Sequence, residues 1–203
     1  MVVKVGEYKL SKLKKIENII EHSINLKKIT YGDKALLNSI VQSVESIIDT
    51  IKKGNKLLIA GNGGSAADSQ HMAAELVSKF YHDRKAIPAI ALTTDTSILT
   101  SISNDYDYTN IFARQIEALG KKGDIFIPIT TSGNSENLIK AAEISNNMYI
   151  KVIGLTGNSG GNIRNYCDIL LDINDTDTPR IQECHLMVEH IICELVEKDL
   201  MKL

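Results

Sequence analysis

The chain has 203 residues, 43% of them hydrophobic, enough to bury the core of one α/β domain and too short to favour a second independent one. Its 23 basic and 25 acidic side chains nearly cancel, with no lysine or arginine block beyond Lys12, Lys14 and Lys15, so charge gives no reason to expect a nucleic-acid partner. Lys4, Glu7, Lys9 and Lys12 interrupt the N-terminal apolar residues where a signal peptide would be uninterrupted, and no apolar stretch approaches the roughly 20 residues that span a bilayer; the expectation is a cytoplasmic protein with no membrane partner.

From about Tyr8 to Lys53 apolar residues recur at helical spacing: Leu10, Leu13, Ile16, Ile19 and Ile20, then Leu36, Leu37, Ile40, Val41, Val44, Ile47, Ile48 and Ile51. Thr30-Tyr31-Gly32-Asp33 divides this run into two helices. Lys56 to Ala60 reads as a buried strand, Ser65 to Phe80 as a helix and Pro88 to Leu92 as a second strand. Two helices are predicted next, Asp95 to Asn104 and Ile111 to Leu119. A third strand covers Asp124 to Ile129, with Pro128 expected near its end because proline removes a ladder donor. Ser135 to Asn146 is helical, Tyr149 to Leu155 and Asp168 to Asp172 are strands, and Arg180 to Met201 is one long closing helix. Strands alternating with helices predict a parallel sheet covered on both faces.

The first and last helices are apolar over more than one packing face. Burial within a monomer would explain this, but packing against copies of the same chain explains it better. Cys184 and Cys193 lie nine positions apart in the last helix, about 13 Å along its axis, too far for a disulfide. With Cys167 they show no zinc-finger spacing and read as reduced packing residues.

Thr130-Thr131-Ser132-Gly133-Asn134-Ser135 is a hydroxyl-rich turn entered from Ile125, Phe126, Ile127 and Ile129. Such a turn can hold a phosphate, because main-chain N–H groups and the dipole of the following helix both favour an anion there. The same residues also describe an ordinary capped strand-to-helix turn. Gly61-Asn62-Gly63-Gly64-Ser65 repeats the strand, turn, helix pattern after Leu57-Leu58-Ile59-Ala60, and two such turns predict a ligand site above a parallel sheet. The spaced third glycine of a dinucleotide-binding fingerprint is missing. His71 and Glu75, four apart, share a helix face close to the glycine turn. Alone they would read as a surface pair, but Gln182, Glu183, His185, Glu189 and His190 gather further polar groups on the otherwise apolar last helix.

Taken together, five runs in order resemble the sedoheptulose 7-phosphate isomerases, or phosphoheptose isomerases, of the sugar-isomerase (SIS) fold. They are GNGGSAADSQHMAAEL from Gly61, SNDY from Ser103, TTSGNSENLIKA from Thr130, GLTGNSGG from Gly154 and RIQECHLMVEHII from Arg180. The resemblance implies a flavodoxin-like three-layer α/β sandwich, with a five-stranded parallel sheet flanked by helices. One SIS domain would cover residues 1–203, residues 1–53 forming assembly helices and 54–203 the α/β core. It further implies a homotetramer with active sites at subunit interfaces, and conversion of sedoheptulose 7-phosphate to D-glycero-D-manno-heptose 7-phosphate on the way to nucleotide-activated heptoses of surface polysaccharide, lipopolysaccharide or capsule.

By the same resemblance, Thr130, Thr131, Ser132 and Ser135 hold the sugar phosphate. Asn62, Gly63, Ser65, Asn104, Asp105 and Gln182 lie along the rest of the sugar. Glu75 and His190 form the acid-base pair, and some relatives place zinc on residues matching His71, Glu75, Gln182 and His190. Two departures stand out: Thr130 opens the hydroxyl turn where many relatives have serine, and Pro179 replaces an aspartate, so no aspartate role is carried there. Thr178 is placed either to contact a substrate hydroxyl or to cap the helix. Three other readings remain: a non-catalytic relative of the replication-initiator-associating type, another phosphosugar isomerase or amino-sugar phosphate lyase, and a sugar-phosphate-sensing regulator. The last would need a helix-turn-helix for which Val2 to Lys53 offers no basic recognition helix.

Overall fold

A computed structural model describes residues 2–201, with side chains from residue 9 onward. The N-terminal helical run breaks at Asp33, whose carboxylate accepts hydrogen bonds from the Ala35 and Leu36 N–H groups at 3.0 Å each. This caps α2 (Lys34–Lys52) and ends α1 (Val2–Gly32). Helix α2 buries Leu36, Ile40, Ser43, Val44, Ile47 and Thr50, the single stripe its sequence spacing dictates.

The alternation that follows is β1 (Leu57–Gly61), α3 (Gly64–Val77), β2 (Ala89–Ala91), α4 (Thr96–Asp105) and α5 (Ala113–Leu119), then β3 (Ile125–Thr130), α6 (Glu136–Asn147), β4 (Lys151–Thr156), β5 (Ile169–Asp172) and α7 (Thr178–Met201). All four strand pairings are parallel, in the order β2-β1-β3-β4-β5. Successive side chains on a strand point to opposite faces, so Leu57 and Ile59 of β1 enter a core with α1, α2, α3 and α7. Leu58 and Ala60 enter a second core with α4, α5 and α6. The three-layer α/β sandwich is therefore as expected.

Two element ends and the place of Pro128 differ from the sequence reading for identifiable physical reasons. Helix α3 stops at Val77 instead of Phe80, because the Phe80, Tyr81 and His82 N–H groups are taken by the Glu197 carboxylate. Strand β4 starts at Lys151, since Tyr149 has φ +58°, outside the β region. Pro128 is the fourth of six residues in the central strand, not a terminal one. Pairing with β1 runs through Ala60↔Pro128, whereas pairing with β4 passes from Phe126↔Val152 to Ile129↔Leu155. The missing N–H thus falls on the β4 side, costing one gap in one ladder.

Candidate active site

The chain runs from β1 out to the β2 edge and returns on the other side of β1 as β3. The carboxyl ends of β1 and β3 therefore flank the topological switch point, where open α/β sheets bind ligands. Both singled-out turns lie there. They are joined by a reciprocal amide pair: Asn62 Nδ2 donates to Asn137 Oδ1 at 3.0 Å, and Asn137 Nδ2 donates to Asn62 Oδ1 at 2.9 Å. The Tyr108 hydroxyl adds a donor to Asn62 Oδ1 at 3.0 Å.

In the hydroxyl turn, Thr130 is buried and its Oγ1 lies 3.3 Å from Ser135 Oγ while accepting from the Gly133 N–H at 3.2 Å. Ser132 Oγ accepts from the Asn134 N–H, and the Thr131 carbonyl accepts from Gly157 N–H. Gly133 has φ +68°, and a Cβ there would collide with the Gly160 carbonyl, so the 157–161 loop lies directly against the turn. Ser135 precedes α6, whose first N–H groups have no intrahelical acceptor. In the glycine turn, Gly63 has φ +56° and Ser65 is buried at the start of α3.

Helices α3 and α7 bring a second group together. His71 Nε2 is 2.7 Å from His190 Nε2 and 3.6 Å from Glu75 Oε1, and the two imidazole centroids are 5.0 Å apart. Phe80 packs against His190 with centroids 5.7 Å apart. Further up the helices, Gln182 Nε2 donates to Asp68 Oδ2 at 2.9 Å. A Cβ on Gly64 would lie 2.5 Å from that amide, so glycine is what lets Gln182 approach the start of α3. Burial raises the Asp68 carboxyl, with the Gln182 bond and His71 working the other way.

Behind this surface Glu189 is completely buried, and neither carboxylate oxygen has a protein partner among the described residues. Burial, and then the negative charge of Asp68, push it up to about 8. His185, one turn earlier, has Nε2 2.9 Å from the Thr156 carbonyl, and burial pushes it down to about 4.

The structure thus gathers His71, Glu75 and His190 within one chain and sets Gln182 apart from them, two turns from His190 along α7, about 12 Å of rise. Asn104 and Asp105 are exposed at the end of α4, where Asn104 Nδ2 donates to Asp105 Oδ1 at 2.8 Å, and no hydrogen bond among the described residues ties their side chains to the other site residues. As zinc donors the two histidines and the glutamate are suitable in kind. Two imidazoles on one tetrahedral zinc sit about 3.3 Å apart, however, so the 2.7 Å spacing is that of a hydrogen bond and would have to open. Among the described residues no group of three or more His, Cys, Asp or Glu is arranged to hold a metal. Sequence reading missed Asp68, Tyr108 and Asn137. Asp68, three residues before His71 on the same face, was open to detection by helical spacing; the other two come to Asn62 only through the fold.

Two strand-to-helix turns at the switch point of a 2-1-3-4-5 parallel sheet, with ionisable groups from an adjoining helix pair, are the arrangement of the sugar-isomerase class of α/β protein, and the SIS domain family matches residues 12–157. The phosphoheptose isomerase of Clostridium acetobutylicum is 54% identical over 185 residues, 91% of this chain and 94% of that protein. A solved phosphoheptose isomerase from Francisella tularensis superposes with a TM-score of 0.88 at 38% identity, covering 92% of this chain and 98% of the other. One from Neisseria gonorrhoeae gives 0.85, also at 38% identity, covering 91% and 98%. The chain belongs to the phosphoheptose isomerase family of SIS-domain proteins.

Proposed function

We propose that this protein isomerises sedoheptulose 7-phosphate to D-glycero-D-manno-heptose 7-phosphate through an enediolate, supplying heptose for surface polysaccharide. The observation that carries the assignment is that Glu75 and His190, from helices 115 positions apart in sequence, both converge on His71, beside two turns suited to an anion and a polyol. A ketose becomes an aldose by moving one proton from C1 to C2 and exchanging protons on the two oxygens, which calls for a base and an acid at the same enediolate. Glu75 removes the C1 proton and returns it at C2. His190 moves protons at the oxygens. Thr130, Thr131, Ser132 and Ser135 hold the phosphate with the first turn of α6, and Asn62, Gly63, Ser65 and Gln182 line the sugar, with Asn104 and Asp105 brought in on substrate binding or from a neighbouring subunit.

Zinc would be held by His71, Glu75 and His190, with Gln182 joining them where both α7 side chains lean inward or where it comes from a different subunit. Bound there, it would supply Lewis-acid polarisation of the carbonyl. The proposed assembly is a cytoplasmic homotetramer with sites at subunit interfaces. Its support is the water-facing apolar stripe on α1: Leu10, Leu13, Ile16, Ile19, Ile20 and Ile24 are all at least 48% exposed in the single chain. Turnover of sedoheptulose 7-phosphate, followed by NMR of the aldoheptose product after chelation and after zinc addition, tests both proposals. Glu75→Gln and His190→Ala should each lower kcat by about 10²–10⁴-fold with the assembly intact; turnover near wild type removes that residue from the mechanism.

A further inference from the structure

Glu197 lies seven residues beyond His190 on α7 and is fully buried. Its Oε1 accepts from the Phe80 N–H at 2.9 Å and from Arg84 Nε at 3.0 Å; its Oε2 accepts from the Tyr81 and His82 N–H groups at 2.7 and 3.0 Å. The Arg84 guanidinium, 5% exposed, continues into α3: Nη2 donates to the Glu75 carbonyl at 2.9 Å and Nη1 to the Leu76 carbonyl at 2.7 Å. Burial on its own would raise the Glu197 carboxyl, but the three main-chain N–H bonds and Arg84 outweigh it and hold it below the usual range. The carboxylate stays charged through the neutral range, as a planar guanidinium partner requires.

Two connections leave this cluster toward the site. One runs through Arg84 to the main chain of Glu75 itself. The other runs through the turn after α3, which Glu197 folds back so that the Phe80 ring packs on His190 and on Tyr81, centroids 5.7 and 4.6 Å apart. We propose that the Glu197–Arg84 pair is a positioning device for the isomerisation, fixing the separation of Glu75 on α3 from His190 on α7. The proposal rests on the reading of those two residues as base and acid. Both residues of the pair are more than 100 positions apart in sequence and neither touches the reacting groups through its own side chain, so they are positioning residues.

The test uses the full-length assembled enzyme carrying Glu197→Gln or Arg84→Lys, the second keeping the charge while losing the planar fork. Steady-state kinetics give kcat and KM, and the His190 ring-proton resonance, assigned by its loss in His190→Ala, reports the Phe80 ring current. Ile116→Val, in the opposite core layer, serves as a control that lowers the melting temperature alone. The expected result is a kcat about 100-fold lower, the penalty of a misplacement on the order of 1 Å, with KM changed less than about threefold because the hydroxyl turn that holds the phosphate lies between β3 and α6. The His190 resonance should shift, while Ile116→Val keeps wild-type kcat. A kcat within twofold of wild type in both folded variants, an unmoved His190 resonance, or an equal kcat loss in Ile116→Val overturns the proposal. Should one variant not fold, the other decides. Wild-type turnover in Glu75→Gln and His190→Ala would instead remove the acid-base reading, and the His190 resonance would still judge the clamp.

Discussion

His185 sets a measurable limit on acid stability. It is 1% exposed, its Nε2 meets the Thr156 carbonyl, and its Nδ1 has no protein partner among the described residues. Burial holds it at about 4 against 6.5 in the open chain. The folded state therefore keeps the ring neutral where the unfolded chain accepts a proton. The stability is fully present above 6.5 and is lost as pH falls from 6.5 toward 4. At about 1.4 kcal/mol per unit, the shift corresponds to about 3 kcal/mol, or roughly 6–12 °C of melting temperature for a chain of this size.

Substituting His185→Gln keeps a donor for the Thr156 carbonyl and removes the titration. Urea unfolding measured at half-unit steps from pH 7.5 to 4.5 should show the wild type falling relative to the variant by most of that amount. The difference between the two curves is the informative quantity, because Glu189 works in the opposite sense. Its raised carboxyl makes both proteins gain stability as pH falls from about 8 toward its ordinary range. Parallel curves for wild type and His185→Gln would refute the reasoning.

Gly133→Ala places a side chain at φ +68° against the Gly160 carbonyl; at about 1 kcal/mol of strain plus a displaced loop, KM for the phosphosugar and the inhibition constant of inorganic phosphate should both rise at least about tenfold, while kcat at saturation holds. Asn137→Ala breaks both amide bonds to Asn62, at about 2 kcal/mol, and should lower the melting temperature by roughly 4–8 °C while raising KM; a KM equal to wild type would show that the glycine turn does not depend on this tie. As pH falls from the ordinary carboxylate range toward the lowered value of Glu197, the unfolded chain takes up a proton that the native state does not, so wild type loses stability over that interval and Glu197→Gln, which does not titrate, should show a shallower acid limb in thermal melts. Ile16→Lys combined with Ile20→Lys on the exposed α1 stripe should shift the sedimentation coefficient from that of the proposed assembly to that of the protomer; an unchanged coefficient would show that this stripe is no interface.

Most of the fold could be read from periodicity and turn chemistry, because the elements are long and their apolar stripes regular. Asp33 was visible as a helix break and Thr130 to Ser135 as a strand-to-helix turn. What failed to show were effects delivered by distant residues. The end of α3 depends on a carboxylate more than 110 positions away, and the tolerance of Pro128 depends on which neighbour its missing donor faces. The glycine and hydroxyl turns were likewise legible as separate features, whereas the Asn62–Asn137 bonds that make them one surface required the β1–β3 adjacency. His71 and Glu75 could be paired from helical spacing, but the arrival of His190 at 2.7 Å needed the packing of α7 on α3.

Helix α1 spans 31 residues, about 46 Å, and Ile19, His22, Ser23, Leu26 and Thr30 of its later half meet the rest of the chain. A lone copy leaves in water a ridge of leucine and isoleucine. The proposed assembly would make the molecule's durability a property of its concentration: a newly made chain would stay adhesive until it met another, and dilution would weaken it even where every internal bond is intact.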